Sequence, residues 1–465
     1  MTQQSDPEHI KEEPGDDPED VLFNAHYGVR TIELNRSKKL HSLNASMARK
    51  VISRLLEWRR SDMANVILIS SAGSNAFCSG GDVAALAQLN MSGPDGPEKS
   101  RSYFAYEYIL DHLIATYTKP YIAYMNGLTL GGGVGLSVHA PIRIATEKTL
   151  IAMPETSIGF FPDAGGSFFL PRLEGKIGTY LALTSERLKG VEAFYAGVAT
   201  HYIDSASLPS LTARLAELQF KDYDDLPTRL EIIDATLAEY DTGLPYDKPM
   251  KIAGELRKAI DRCFSYPTVE LIIEALEQEA KSRPEEDSIK LWAQQTRQTL
   301  HERSPTSLRV ALRQMQLGRE WSIGETFQRE YEMAGKFMHH PDFTEGVAAK
   351  LIRKPLTTPI WDPPNLQSVT EQSVDALFAP AVGQQKLQLI KTGVEDYREY
   401  PYSMGLPAEK EIEDLVRQGG QTEQTVVKEF LRRYHDRVGV AEKVDEILDR
   451  CCARNEEDTL TWSIK

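Results

Sequence analysis

Two carboxylates and two glycine-rich turns have types and spacing that suit chemistry at a carbonyl carbon. Glu155 ends an apolar run as Met153-Pro154-Glu155, and Asp163 follows eight positions later within Phe160-Phe161-Pro162-Asp163-Ala164-Gly165-Gly166. Upstream, Gly131-Gly132-Gly133 lies between an apolar run of strand character, Pro120 to Met125, and the first turns of a buried helix, Val134 to His139. A second turn, Ser79-Gly80-Gly81-Asp82, precedes another helix, with Asp82 as its N-cap. Glycines between a strand and a helix leave backbone N–H groups bare and let a ligand come close. A carbonyl oxygen that gains negative charge needs preorganised donors, and amides from two separate helix starts supply them. A carboxylate beside such donors serves as nucleophile or as general base.

Each of these features has a plainer reading. Gly131 to Gly133 also suit a close-packed turn, although a second glycine turn at 79–82 favours the chemical reading. Glu155 after proline also suits an ordinary acid at a helix start. Asp163 also suits a cap for a helix over Ala164–Leu170. Glu107 lies inside a helical stretch, where an acid usually faces solvent. Cys78 has no visible base beside it and reads as a small buried residue. His139 and His201 read as satisfied structural histidines. Arg353 and Lys354 suit either phosphate contacts or a solvated basic pair.

The elements that must position these residues alternate between strands and helices. VLFNAHYG and VRTIEL predict a starting hairpin, and the spacing of apolar residues predicts a helix over 46–60. Val66 to Ser71 reads as a fully buried strand of a layered α/β unit. Tyr103 to Thr116 is helical and carries Glu107. Ile142–Ala145 and Leu150–Met153, with Thr-Glu-Lys between them, read as a hairpin-like pair. Glycine-punctuated helices over 178–197, the apolar run VATHYI and an amphipathic helix over 208–220 follow. A polar stretch over 222–247 marks a boundary. The chain is then mostly helical to about 354, with Pro305 just inside a helix start, and 355–369 is extended and proline-rich. Beyond 381 it becomes polar amphipathic helix, broken by YREYPYSMGLP and GGQT. The resulting division is a disordered acidic tail over 1–20, a core over 21–220, a helical part over 221–380 and a helical extension over 381–465.

Composition narrows the classes. The chain has 465 residues and a net charge of −15, with a pI near 5.3, which argues against nucleic acid as the main ligand. The extension carries 13 Lys/Arg against 17 Asp/Glu, so it is no basic RNA-binding arm. No apolar run approaches the roughly 18 residues that span a bilayer. Four cysteines, two of them adjacent, have no metal-ligand spacing and point to a reducing compartment. The N-terminus is neither a secretory signal nor an Arg-rich presequence, and the C-terminal Ser-Ile-Lys is not a peroxisomal signal. There is no G-x-S-x-G elbow, P-loop, dinucleotide fingerprint or H-E-x-x-H. No metal, nicotinamide or flavin is implied.

AFCSGGD (76–82) and NGLTLGGGVGLS (126–137) resemble the two oxyanion-hole segments of the crotonase, or enoyl-CoA hydratase/isomerase, superfamily. MPETSIGFFPDAGGSFFLPRL (153–173) is similar to the signature of its 3-hydroxyisobutyryl-CoA hydrolase subgroup, and RLKGVEAFYAGVATHYID, SPTSL and HPDFTEGV resemble that subgroup as well. The resemblance runs from about 21 to about 378. It implies an α/β fold, a spiral of ββα turns with a helical C-terminal part. It further implies hydrolysis of a branched 3-hydroxyacyl-CoA thioester from valine breakdown, with CoA as part of the substrate and no separate cofactor. It implies oxyanion donors at the amides of Ser79 and Gly132, Glu155 as the catalytic carboxylate, and Asp163 as the partner of the substrate hydroxyl or of the attacking water. Glu107, Gly80, Gly81, Asp82 and Gly131 complete the implied substrate-binding set. A hydratase or isomerase is the neighbouring alternative. The resemblance also implies a mitochondrial location. Fungal and plant relatives of the subgroup serve in the mitochondrial small ribosomal subunit, so the extension suits docking to proteins there, or packing on its own domain or on a second subunit.

Overall fold

The computed structural model describes residues 9–73, 75–380, 386–456 and 458–463. Its framework is a pair of sheets that the chain visits in turn. β1 (Val21–His26), β2 (Val29–Leu34), β3 (Val66–Ser71), β5 (Tyr121–Met125), β7 (Ile142–Ala145) and β10 (His201–Tyr202) form a six-stranded sheet in that order. β4 (Ala76–Cys78), β6 (Leu128–Leu130), β8 (Leu150–Ala152) and β9 (Leu188–Lys189) form a four-stranded sheet. β1 pairs with β2 antiparallel, as the expected hairpin, and the large sheet is parallel thereafter. Each pass contributes one strand to the large sheet, the next to the small sheet, and then a helix. This is the spiral of ββα turns.

One expected pairing is different. β7 and β8 do not form a hairpin, although Thr146 to Thr149 do make a tight turn. β7 pairs with β5 in the large sheet, and β8 pairs with β6 in the small one. Both runs are short and apolar, so their pattern records burial and not the identity of the partner.

Alternation along the strands separates two packed layers. Ile67 and Ile69 face a core with helices Ala45–Arg59, Gly96–Ala115 and Ile323–His339, whereas Val66 and Leu68 face helices Leu208–Ala216 and Leu226–Ala238. Those last two helices share one apolar cluster, so the packed unit continues past the boundary drawn at 220. A third cluster joins Val134 and Val138 to the helices between 254 and 317.

Residues 9–20 differ from the disordered tail expected there; residues 1–8 lie outside the described residues. Ile10 is buried, Asp16 pairs with Arg49, and Asp20 accepts from Lys50 Nζ at 2.8 Å. Two cations on helix Ala45–Arg59 thus hold an acidic stretch whose composition alone reads as disorder. The extension, whose expected start at 381–385 lies outside the described residues, first crosses the main core as a strap that buries Leu387 and Ile390. It then forms three helices, Glu409–Val416, Glu423–Arg433 and Val440–Cys451, and a small hairpin of β11 (Cys452–Arg454) and β12 (Leu460–Trp462). These elements have an apolar centre of their own and pack back on the chain, with Lys443 paired to Glu174 and Arg257 to Glu409.

Candidate active site

The glycine turn after β6 and the acid after β8 meet because their strands are neighbours in the small sheet. Gly131 has φ +45°, a conformation that favours glycine, and starts helix Gly132–Val138. A methyl group on it would lie 2.7 Å from Glu155 Oε1 and 3.9 Å from Gly80 Cα. Both glycine turns and Glu155 therefore converge on one point.

Glu155 opens the 3-10 helix Glu155–Ile158, which ends at Gly159 with φ +73°. That turn is braced by the SPTSL and HPDF segments. Ser304 N–H donates to Thr156 O at 3.1 Å, Ser304 Oγ donates to Asp342 Oδ2 at 2.6 Å, and any Cβ at Gly159 would strike Asp342 O. The Glu155 side chain is buried and its Oε2 has no hydrogen-bond partner. Burial, and next the charge of Asp163, raises its carboxyl well above the usual carboxylate range.

The amides sort differently from the expectation. Ser79 N–H donates to Leu40 O at 3.0 Å, so it is engaged within the protein. Among the described residues, the amides of Gly81 and Gly132 donate to no protein acceptor. They lie together: a Cβ on Gly132 would sit 3.5 Å from Gly81 N, and one on Gly80 would sit 3.6 Å from Gly132 N. The free amide of this turn thus lies two residues beyond the one expected at Ser79. The reason is the residue 40 loop, which pairs alternately with this turn and takes up Ser79 N–H, Gly80 O and Asp82 N–H, leaving Gly81 N–H out. The Asp82 carboxylate accepts from Arg36 at 3.1 Å and caps the next helix at Ala85 N–H.

Asp163 is buried and accepts from Tyr108 Oη at 2.8 Å; burial pushes its carboxyl up to about 7 against that hydrogen bond. It does not cap the following helix with its side chain, since the N-cap is Gly165. Ala164 next to it has φ +53°, a left-handed conformation that costs an alanine on the order of 1 kcal/mol. Glu107, expected on a solvent-facing position were it an ordinary helix acid, is 2% exposed, and its Oε1 fills the space a Cβ on Gly132 would need. One turn along the same helix, Asp111 is fully buried with both carboxyl oxygens unpartnered. Burial first, and neighbouring carboxylates next, raise both acids well above their usual range.

Cys78 is buried, with its thiol pushed up to about 12. His201 bonds Asp234 at 2.8 Å, far from the acids in topology, and Arg353 pairs with Glu345 at 2.6 Å. Sequence reasoning missed Tyr108, Asp111, Gln314 and Glu330. Glu330 accepts the N–H of Gly165 and of Ser167, and Gln314 Nε2 donates to Pro162 O and Ser167 Oγ. The available signal was position: Glu330 sits on the apolar stripe Ile323-Phe327-Ala334-Phe337, and Asp111 on the stripe Phe104-Tyr108, where an acid has no reason to lie unless it is used.

Comparison with known proteins agrees with this architecture. The profile of the enoyl-CoA hydratase/isomerase family matches residues 29–378. The chain is 49% identical to small ribosomal subunit protein mS47 of Neurospora crassa over 459 residues, 98% of this chain and 90% of that one. It is 42% identical over 360 residues to the mitochondrial 3-hydroxyisobutyryl-CoA hydrolase of Danio rerio, 77% of this chain and 89% of that one. Among solved structures, a carnitinyl-CoA dehydratase from Mycobacterium thermoresistibile superposes with a TM-score of 0.69 at 33% identity, over 80% of this chain and 98% of that one. The family profile covers most of the chain and the Danio hydrolase is 42% identical, so the chain belongs to the enoyl-CoA hydratase/isomerase family.

Proposed function

We propose that this chain hydrolyses a 3-hydroxyacyl-CoA thioester, 3-hydroxyisobutyryl-CoA foremost, to the 3-hydroxy acid and free CoA, in the mitochondrion. The observation that carries the reading is the unpartnered carboxyl oxygen of Glu155 next to the free amides of Gly81 and Gly132. In this reading the thioester oxygen lies between the two amides, which meet the developing oxyanion without reorganisation. Glu155 either attacks the carbonyl carbon and expels the CoA thiolate to give a transient anhydride, which water then cleaves to the hydroxy acid and free Glu155, or it takes a proton from a water that attacks the thioester carbon directly and expels the thiolate. Asp163, already oriented by Tyr108, accepts the substrate's 3-hydroxyl. A thioester without that hydroxyl leaves a buried acceptor unmet, which disfavours it. Similarity to hydrolases of that name over about three quarters of the chain supports the substrate class.

The test is release of free thiol from 3-hydroxyisobutyryl-CoA by the wild-type chain and by Glu155→Gln. Turnover by the wild type and its loss in the variant support the reading. Wild-type turnover in Glu155→Gln would refute the residue assignment.

A second reading is favoured by one specific observation. The match to the ribosomal relative takes in 98% of the chain, whereas the match to the Danio hydrolase takes in 77% and the family profile stops at 378. The helices between 409 and 451 therefore suit attachment to proteins of the mitochondrial small ribosomal subunit, with the hydrolase site retained. Sedimentation with those subunits tests it, before and after removal of residues 406–465. Full-length chain that stays at the top of the gradient ends this reading.

A further inference from the structure

The turn that carries Asp163 is strained at Ala164 and is held by three buried side chains from three different helices. Gln314 grips Pro162 O and Ser167 Oγ. Glu330 takes the N–H of Gly165 at 2.8 Å through one oxygen and that of Ser167 at 2.9 Å through the other. His139, at the end of the helix that begins with Gly132, lies 3.0 Å from Ala164 O through Nε2. A carbonyl only accepts, so Nε2 carries the proton and Nδ1 is the acceptor. The group facing Nδ1, at 3.1 Å, is the hydroxyl of Tyr400. With the proton fixed on Nε2 by that carbonyl, the Tyr400 hydroxyl donates to Nδ1 and braces the ring in the orientation that holds the Asp163 turn.

Tyr400 lies beyond residue 378, where the family profile ends, on the strap that opens the C-terminal extension. The same strap secures the second holder. Asp396 accepts from Ser322 Oγ at 2.5 Å and from Gly324 N at 2.9 Å, and Tyr397 O accepts from Ile323 N at 2.9 Å. These contacts fix the start of helix Ile323–His339, and Glu330 lies two turns along it. Both lines of contact run from the strap to one turn.

We propose that the strap is a specificity element of the active site: Tyr400, through His139, and Glu330 are positioning residues that set the place of Asp163 and hence the preference for a 3-hydroxylated acyl group. This rests on the hydrolase reading and deepens it. Neither residue touches substrate. Both act on one acceptor, so loosening them lowers selectivity more than it lowers thioester cleavage, which depends on Glu155 and the two amides.

The test compares kcat/KM for 3-hydroxyisobutyryl-CoA and for isobutyryl-CoA in the wild type, Tyr400→Phe and Glu330→Gln. Tyr400→Phe keeps the ring, which packs edge-on against Phe168 at 5.1 Å, and removes only the hydroxyl. The expected result is a fall in the hydroxy-to-deoxy ratio of roughly three- to tenfold in each variant, with isobutyryl-CoA turnover within about twofold of the wild type. An unchanged ratio in folded Tyr400→Phe overturns the proposal, as does an equal loss on both substrates, which marks a merely structural role. If Glu330→Gln fails to fold, Tyr400→Phe alone decides. A wild type that cleaves neither thioester removes the hydrolase reading and this proposal together, whereas a selective wild type with equally selective variants removes this proposal alone.

Discussion

The Oε1 of Glu107 occupies the place where a side chain on Gly132 would begin: a Cβ there would overlap it. Gly132 is thus fixed by contact with a buried carboxyl as well as by the need for a bare amide. Gly132→Ala should displace Glu107 and the amide together and lower thioester hydrolysis by about two orders of magnitude, the usual loss for one oxyanion donor. Adding Glu107→Ala removes the overlap, so the double variant should recover most of the lost stability. Thermal melts of the cycle measure the coupling. Strictly additive melting shifts would show that the two residues do not press on each other.

Glu155→Gln should be more stable than the wild type at pH 8 and closer to it at pH 4. The folded carboxyl is raised above its unfolded value of 4.5. The native state therefore holds its proton longer than the unfolded state, and wild-type stability falls as pH rises above 4.5. A glutamine has no charge to desolvate. The gain at pH 8 should be about 1–3 kcal/mol, the range for relieving a buried unmet group. Urea titrations at the two pH values read it directly, and a variant less stable at pH 8 would contradict the burial of a charged Glu155.

The pH dependence of turnover follows from the same acids. Glu155 must be ionised to attack or to take a proton, and Asp163 accepts a hydroxyl more strongly as the carboxylate. Asp163 is pushed up to about 7 and Glu155 is raised well above 4.5, both chiefly by burial. kcat/KM for the 3-hydroxy substrate should therefore climb from pH 6 to 8. A plateau already reached at pH 5 would mean that the carboxyls titrate as exposed ones.

The two candidate donors in the 79–82 turn are separable. Ser79→Ala alters a side chain whose amide is engaged by Leu40 O, so turnover should stay within about twofold. Gly81→Pro removes the free N–H and should cost about 10²-fold or more. A folded Gly81→Pro variant that keeps wild-type turnover would return the assignment to residue 79.

That two-residue offset shows what sequence carries and what it does not. Glycine runs, Glu155 and Asp163 stand close in the chain and are tied to turns, so local rules find them. Which amide stays bare depends on how Leu40 and Leu43 pair with the turn, roughly 40 residues away in sequence. Glu330, Gln314 and Tyr400 act on the Asp163 turn from far downstream, and nothing in their own segments says which turn they meet. The β7–β8 misreading has the same origin: a short apolar run states that it is buried, and only the assembled sheets state beside what.

Arg257 offers a test of how the extension is attached. It is 1% exposed, and its guanidinium meets Asp261 at 2.9 Å, Glu409 at 3.2 Å and Glu174 at 3.7 Å. Lys443 and Arg450 share Glu174 and Glu409, and Glu446 ties Arg450 to Gly254 N–H. The network lies between helix Gly254–Cys263 and the first and last of the three C-terminal helices. Arg257→Met leaves Asp261 and Glu174 short of a cation, and breaking such a buried pair costs up to about 3–5 kcal/mol. The loss should fall on the C-terminal helices, because the strap upstream is anchored separately by Leu387, Ile390 and Tyr397. Hydrogen exchange should therefore speed up across 409–451 while that of the sheet strands stays slow, and selectivity for the 3-hydroxy substrate should persist because Tyr400 stays seated. Uniform acceleration across the whole chain would instead make core and extension a single cooperative unit.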